Sequence, residues 1–427
     1  MHDNALELAG ASSPGWASGG NVKPLGRAIE TSTSRRALLG GGLVLVLAGC
    51  GGSDQKPTPA APTVEPTSTT VPVPTQEPIG SPVAGYGQPD KWADRTLNVA
   101  AWGGNIQDAQ GTAFFDPFEE ATGASIQIKI ADLGRLKSQV ESEDVSWDVL
   151  TLPAADALAL ARTNYLEPID FAVVDKSPLV PEIVLQYAVG EAFYSTVIVF
   201  RADRPTPPRD WTEFWTFTPR ESSDDPIPPE DLRTLARNPV GTLEFALLAD
   251  GVASDALYPL DLERAFASLD KIRDYIVAWY EDGKQPIELL VADQVAIGSA
   301  WNTRAWQLNV TPDIGTQWHG GMLSADMWVV PKGAPNKDVA MDFINFATRA
   351  IPSANFSRLV PFGPVNLEAP PLLDPERLKE MPSAPENFAV QFIQNWVWWA
   401  DNVDAVTQRF EDWLLTKPES SPEAESH

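Results

Sequence analysis

Catalysis in this 427-residue chain would have to be assembled from few parts. There is one cysteine, Cys50, and of the three histidines only His319 falls within the stretch of globular composition. A thiol nucleophile needs a base partner. The sequence carries no Gly-x-Ser-x-Gly elbow, His-Glu-x-x-His helix, Walker loop or Cys/His cluster, so His319 reads as structural. Asp and Glu number 58 against 31 Lys and Arg, for a formal net charge of -27. Paired carboxylates of the glycosidase type are therefore the one hydrolytic arrangement left open. Acids this numerous form pairs by chance, and no calcium-loop spacing occurs among them. No metal or cofactor is expected. A secreted carboxylate-dependent hydrolase stands as the alternative to a protein that binds without reacting, and the reading favoured is that the chain is not an enzyme.

The position of Cys50 accounts for it better than nucleophilic chemistry does. Arg35 and Arg36 precede an apolar run, Ala37 to Ala48, too short to cross a hydrocarbon core of ~30 Å as a helix. Leu47-Ala48-Gly49-Cys50 resembles a bacterial lipobox, in which cleavage leaves the cysteine first and acyl chains are added to it. Residues 1–49 then read as a signal peptide and Cys50 as a lipid anchor, with the protein extracytoplasmic and held at the cell membrane. Ser34-Arg35-Arg36-Ala37-Leu38-Leu39 resembles a twin-arginine signal; an ordinary secretory start is the other reading. Residues 50–93, rich in Pro and Thr, cannot build a packed core. Proline-rich chain extends about 3.1 Å per residue, so some thirty residues reach on the order of 90 Å.

From Trp92 onward the composition is globular and long enough for two domains. The acidic balance excludes nucleic acid as a partner, since phosphate binding needs clustered Lys and Arg, while an acidic surface can steer cations inward. Leu97 to Ala101 has strand character and runs into the turn Trp102-Gly103-Gly104-Asn105. A helix is expected from Gln107 or Asp108 to Thr122, stopped by Gly123, then an alternating strand Ser125 to Ile130. A helix near Leu136 to Val140, a strand Asp148 to Leu152 and a helix Ala155 to Ala161 follow. Such alternation argues for a mostly parallel sheet with helices on both faces and ligands outside the strands' carboxyl ends. Residues 102–105 and 153–156 occupy such ends. Helical stripes recur at Leu262 to Ile276 and Val339 to Ala347. Val295 to Ala300 reads as a buried strand delivering Trp301, and Trp328 to Val330 as another just after Asp326.

The segments Ala101-Trp102-Gly103-Gly104, Phe114-Phe115-Asp116-Pro117-Phe118-Glu119, Leu166-Glu167-Pro168-Ile169-Asp170, Ala300-Trp301-Asn302, Ser324-Ala325-Asp326, Val330-Pro331-Lys332-Gly333 and Phe362-Gly363-Pro364-Val365-Asn366 occur in order between Thr96 and Leu415. Together they resemble the extracytoplasmic solute-binding proteins of ABC importers, most nearly the spermidine/putrescine receptors. The resemblance implies an α/β, two-lobed periplasmic-binding-protein-like fold of type II, each lobe a mostly parallel sheet flanked by helices and the two joined by hinge strands. One lobe would take residues 94–200 with a return segment 327–362, the other 201–326 with 363–415, leaving 416–427 as a disordered tail. It also implies permease subunits with a cytoplasmic ATPase as partners, and a small amine or zwitterion as cargo.

On that resemblance Trp102 and Trp301 fall where the receptors carry aromatic residues, and Asp326 where they carry an acid. An ammonium on an alkyl chain needs counter-charge and an apolar wall, and each cation–π contact adds about 0.5 to 2 kcal/mol. Gly103 and Asn105 lie beside Trp102. Asp156 stands where a tyrosine is expected in the first lobe, Ala154 where a small hydroxyl is expected, and Phe362 where another tyrosine would be. The second lobe's usual acidic pair is replaced by Asn238-Pro239-Val240-Gly241. Gly241 and Thr242 open a stretch whose free amides suit an anionic group. Arg304 could pair with a carboxylate or phosphonate, or form a surface salt bridge. Putrescine, spermidine, 4-aminobutyrate and an aminophosphonate are all compatible with this set.

Overall fold

The computed structural model describes residues 79–416 apart from 81–82, 205, 223–224 and 308–313. The export segment, Cys50, most of the tether and residues 417–427 lie outside the described residues. In chain order the strands are β1 (Thr96–Ala101), β2 (Ser125–Ile130), β3 (Val149–Pro153), β4 (Val184–Leu185), β5 (Ala188–Arg201), β6 (Arg233–Ala236), β7 (Ile276–Tyr280), β8 (Ile297–Trp301), β9 (Ile314–Val329) and β10 (Phe392–Ile393). The helices that bear on the site are α1 (Gly104–Gln110), α2 (Asp116–Thr122), α3 (Leu133–Glu141), α4 (Ala154–Arg162), α5 (Pro239–Ala249), α6 (Asn302–Gln307), α7 (Lys337–Ala347), α8 (Ala350–Leu359) and α9 (Trp396–Leu415).

The sheet runs β2-β1-β3-β9-β5-β8-β6-β7. Its two ends are parallel: β1 pairs with β2 and β3, and β6 with β7 and β8. Between them β5 and β9 run antiparallel along most of their length. The first half of β5 meets the second half of β9, from Val189 opposite Trp328 to Thr196 opposite Met322; the second half, Ile198 to Arg201, meets Gln317 to Ile314. Two long strands thus pass through both halves of the molecule. Apolar clusters cover both faces of each half: one pair around Phe114, Phe118, Trp328 and Phe343 and around Trp147, Leu150 and Met327, the other around Trp211, Phe245 and Leu269 and around Val197, Val199 and Ile287. A parallel sheet needs such double cover, because its strands are apolar on both sides.

Several elements differ from their sequence reading for identifiable reasons. The first helix begins at Gly104 rather than at Gln107, because Gly103 adopts φ 84° and ψ -178°, a region nearly restricted to glycine, and turns the chain directly out of β1. A π turn over Gly111–Phe115 joins α1 to α2. The short strand expected at Trp328 to Val330 is the end of the 16-residue β9, whose Gly- and Gln-containing first half hides its strand character. Packed chain also starts before residue 93. Ile79 exchanges two hydrogen bonds with the Asn355 side chain, and Tyr86, Lys91 and Trp92 all donate to the Asp342 carboxylate of α7. The C-terminal chain serves both halves. Val365 packs with Trp147 and Leu152, whereas Trp399, Val406 and Phe410 of α9 pack with Leu243 and Leu269.

Candidate ligand-binding site

The period of two in β9 puts Met322, Ser324 and Asp326 on one face. Their partners on β5 are Thr196, Tyr194 and Ala192. Trp301, the last residue of β8, lies opposite Thr196, and Pro153, the last of β3, lies opposite Asp326. From Pro153 the chain turns into α4, whose first turn carries Asp156. Residues from both sheet halves and from the shared strands therefore converge where parallel strands end. A cavity of about 330 Å³ opens there, lined by Asp156, Tyr194, Thr196, Trp301 and Ser324 and closed on the far side by Arg237 to Val240 and by Trp399 and Val403 of α9. A larger groove of about 670 Å³ lies at Lys91, Trp92 and Asp342. It is remote from the strand ends, and the carboxylate of Asp342 there is already taken up by three donors.

The electrostatics of the cleft are one-sided. Asp326 keeps only a partial opening to solvent; burial, and then the negative fields of Glu191 and Asp156, push its carboxyl well above the usual carboxylate range. Burial likewise raises Asp156, with Lys137 pulling part of the way back. Glu191 is pushed up to about 7 by burial, against the hydrogen bonds it accepts from Thr151 and Gln110. Burial, with Asp326 and Asp156 as further causes, also raises the Tyr194 phenol. Among the described residues no Lys or Arg forms an ion pair with Asp326, Asp156 or Glu191. An arrangement of acids without counter-ions in a low-dielectric cleft is unfavourable until a cation arrives.

Trp102 ends 53% exposed just past β1, its indole N–H donating to the Thr151 carbonyl at 3.0 Å. Trp301 is 42% exposed and meets the Tyr194 ring edge-on at 6.2 Å. Both indoles thus offer open faces, one beyond a strand in each half of the sheet, although Trp301 lines the cavity and Trp102 does not. Gly103 and Asn105 sit beside Trp102 at the start of α1. Arg304 does not line the cavity; its guanidinium lies 5.3 Å from the Trp301 ring centre, and burial lowers its pKa while Asp282 pulls it back up. Phe362 is buried behind the cleft, edge-on to Tyr194 at 6.2 Å.

Gly241 and Thr242 are drawn inward. The Gly241 amide, expected to be open to an anion, donates to Glu244 Oε2 at 2.9 Å, and the Thr242 hydroxyl donates to the Ala236 carbonyl at 3.2 Å. Gly241 has φ 84° inside a kink at the start of α5, and a Cβ there would approach Met322 and Phe245 to 3.2 Å. The kink turns Asn238 to Val240 toward the cavity in place of the amides.

Sequence reasoning passed over Tyr194, Thr196, Ser324, Gln394 and Trp399. Ser324 donates to Gln394 Oε1 at 2.9 Å. It also passed over Asn302, which accepts from the Ser195 amide and donates to the Pro361 carbonyl, tying the end of β8 to the shared strand. The only available signal was the hydroxyl pair Ser195-Thr196 after Tyr194, inside a stretch otherwise apolar from Ala192 to Phe200.

A cleft between two sheet halves joined by crossing strands, lined by indole and carboxylate, defines a two-lobed solute-binding protein. Residues 113–389 match the family model described as bacterial extracellular solute-binding protein, and the chain belongs to that family; it is a substrate-binding protein of an ABC importer. It is 31% identical over 329 residues to a gamma-aminobutyric acid-binding protein of Pseudomonas aeruginosa, covering 75% of this chain and 91% of that one. A solved GABA receptor superposes with a TM-score of 0.68 at 34% identity, over 77% of this chain and all of the receptor. The spermidine/putrescine-binding periplasmic protein of Escherichia coli is 26% identical over 173 residues, 40% of this chain and 48% of that protein. The relatives are binding proteins, and among the described residues no helix is long and apolar enough to cross a membrane and no cluster of acids, His or Cys suits a metal ion.

Proposed function

We propose that this protein captures a small zwitterion with a terminal ammonium, of the 4-aminobutyrate class, and hands it unaltered to an ABC permease. The observation that carries this reading is Asp326, a desolvated carboxylate beside Asp156 with no protein cation to balance it. The ammonium docks at Asp326 and Asp156, and Trp301 and Trp102 cover the alkyl chain as the lobes close. Arg304, packed on Trp301, receives the ligand's carboxylate through a small rotation of that side chain. Gly103, Asn105 and Phe362 shape the walls, and Gly241 and Thr242 hold the kink behind Val240. Closure is driven only by contacts the ligand gains in the closed state.

The relatives bind gamma-aminobutyric acid and spermidine or putrescine, which supports an amine cargo. The surplus of acids over bases in the cleft favours a diamine as the second reading. No product is expected from any ligand, in contrast to a carboxylate-dependent hydrolase. Acylation of Cys50 would keep the receptor beside its permease, and Cys50→Ser should move the protein out of the membrane fraction. Calorimetric titration with 4-aminobutyrate, putrescine and spermidine tests the assignment: tightest binding by 4-aminobutyrate is expected, and preference for putrescine would overturn it in favour of the diamine.

A further inference from the structure

The turn that follows β7 backs directly onto Trp301. β6 runs parallel to both β7 and β8, so residues 281–284 leave the sheet at the same end as Trp301, where parallel sheets hold their ligands. The turn is tight. Asp282 Oδ1 accepts from the Lys284 amide at 2.9 Å, and the Asp282 carbonyl accepts at 3.0 Å from the Gln285 amide, which opens the short helix Gln285–Val291. Glu281 pairs at 3.1 Å with Arg237, a residue of the cavity wall. Next comes Gly283. A Cβ there would lie 3.0 Å from Arg304 Nε and 3.3 and 3.4 Å from Trp301 Cζ3 and Cε3, closer than side-chain atoms pack at optimal separation. The φ of Gly283 lies outside the left-handed region, so what glycine supplies at this position is room. Trp301 touches the turn and lines the cavity as well, with Arg304 5.3 Å from its ring centre. The indole is a partition one residue thick between the turn and the ligand space.

From this geometry we infer that Gly283 is a positioning residue that sets the length of the site. Carrying no side chain, it lets the Trp301 indole and the Arg304 side chain stand back from the cavity, far enough to admit a four-carbon amino acid. This role rests on the proposed capture of a small zwitterion against Trp301 and Arg304. The three atoms nearest a methyl group at position 283 all belong to those two side chains, and the room into which Trp301 can yield is the cavity it lines. A side chain at 283 therefore shortens the site. The same gap leaves Arg304 free of a clash at Nε as it rotates toward the ligand's carboxylate.

The test is calorimetric titration of the purified protein and of Gly283→Ala with 3-aminopropionate, 4-aminobutyrate and 5-aminovalerate, which carry the same two charged groups on chains of increasing length. A general defect in folding would weaken all three alike. In Gly283→Ala, affinity for 5-aminovalerate should fall most and for 3-aminopropionate least. Their ratio should change about three-fold or more, against the roughly ten-fold or more that a whole methylene carries in a fitted pocket. Trp301→Phe removes the ring edge that faces Gly283, so adding Gly283→Ala to it should change that ratio no further. Should Gly283→Ala fail to fold, recovery of folding in the double variant supports the inference and its absence overturns it. An equal loss for the three ligands, an unchanged ratio, or an undiminished shift on the Trp301→Phe background also overturns it. If the wild type binds none of these amino acids but takes 1,3-diaminopropane, putrescine or cadaverine, the zwitterion reading falls, and the same ratio measured on the three diamines still decides the role of Gly283. If it takes neither series, both fall.

Discussion

Asp326 and Glu244 are both acids removed from bulk water, one on the shared strand β9 and one on α5, yet their surroundings are opposite. Glu244, wholly buried, accepts three hydrogen bonds: from the Gly241 amide at 2.9 Å, the Tyr258 hydroxyl at 2.5 Å and the Trp399 indole at 2.6 Å. These bonds hold the kink beside Val240 and fix Trp399, so two walls of the cavity depend on one carboxylate. Asp326 accepts none from any described side chain and faces two further acids. A buried acid surrounded by donors is a structural joint. A desolvated acid on the strand face that continues from Met322 and Ser324 of the cavity, without donors or a counter-ion, is what a site awaiting a cation requires.

That contrast can be broken by exchange of the two roles. Asp326→Asn should weaken binding of 4-aminobutyrate ten-fold or more, since a charged hydrogen bond contributes about 1.5 to 3 kcal/mol. It should leave thermal stability of the free protein unchanged or raised, because it removes an acid whose ionisation the fold opposes. The pH dependence has a defined sign. Asp326 and Glu191 have folded pKa values raised above their unfolded ones, so the stability they contribute is fully present below the unfolded pKa and lost as pH rises through the folded values, about 7 for Glu191. Thermal scans should show this loss in the wild type and a shallower one in Asp326→Asn; identical slopes would contradict the assignment.

Glu244→Gln should do the reverse of Asp326→Asn in its main effect. A carboxamide turns an NH₂ toward at least one of three donors, at a cost of about 1 to 3 kcal/mol of stability by denaturant unfolding, with any loss of affinity arising from Trp399 and Val240. Trp301→Ala should reduce affinity by roughly two- to thirty-fold, on the about 0.5 to 2 kcal/mol of a cation–π contact, and should remove much of the ligand-induced fluorescence change. The smallest effect is expected at the ion pair of Arg162 on α4 with Asp401 on α9. Both partners are partly exposed, so Asp401→Asn should shift stability by at most about 1 kcal/mol.

What the sequence disclosed follows from the range of the interactions involved. The placing of Trp102 just past β1 and of Trp301 at the end of β8 was legible because each short strand has a local signature, and the glycine after Trp102 marks the turn. The alternation of strand and helix through residue 161 is likewise written in neighbours. Tyr194, Thr196 and Ser324 were not legible, because their shared face depends on the antiparallel register of β5 with β9, and strand partners that distant leave no local pattern. The length of β5 was hidden by apolar residues on both its faces, which show no period. Nothing in the residues next to Glu244 marks it as a joint. Its role as a joint depends on Trp399, 155 residues away, and on the kink at Gly241. Arg304 was picked out by spacing alone, three residues beyond Trp301. Its place on that indole comes from the turn into α6.

The most direct measurement is a pair of calorimetric titrations with 4-aminobutyrate on wild type and Asp326→Asn, with thermal unfolding of both as the control for folding. Saturable binding by the wild type, lost by ten-fold or more in a variant that unfolds at the same or a higher temperature, is the expected result. Equal affinity in the two proteins would mean that the ammonium is held elsewhere, and would contradict the account.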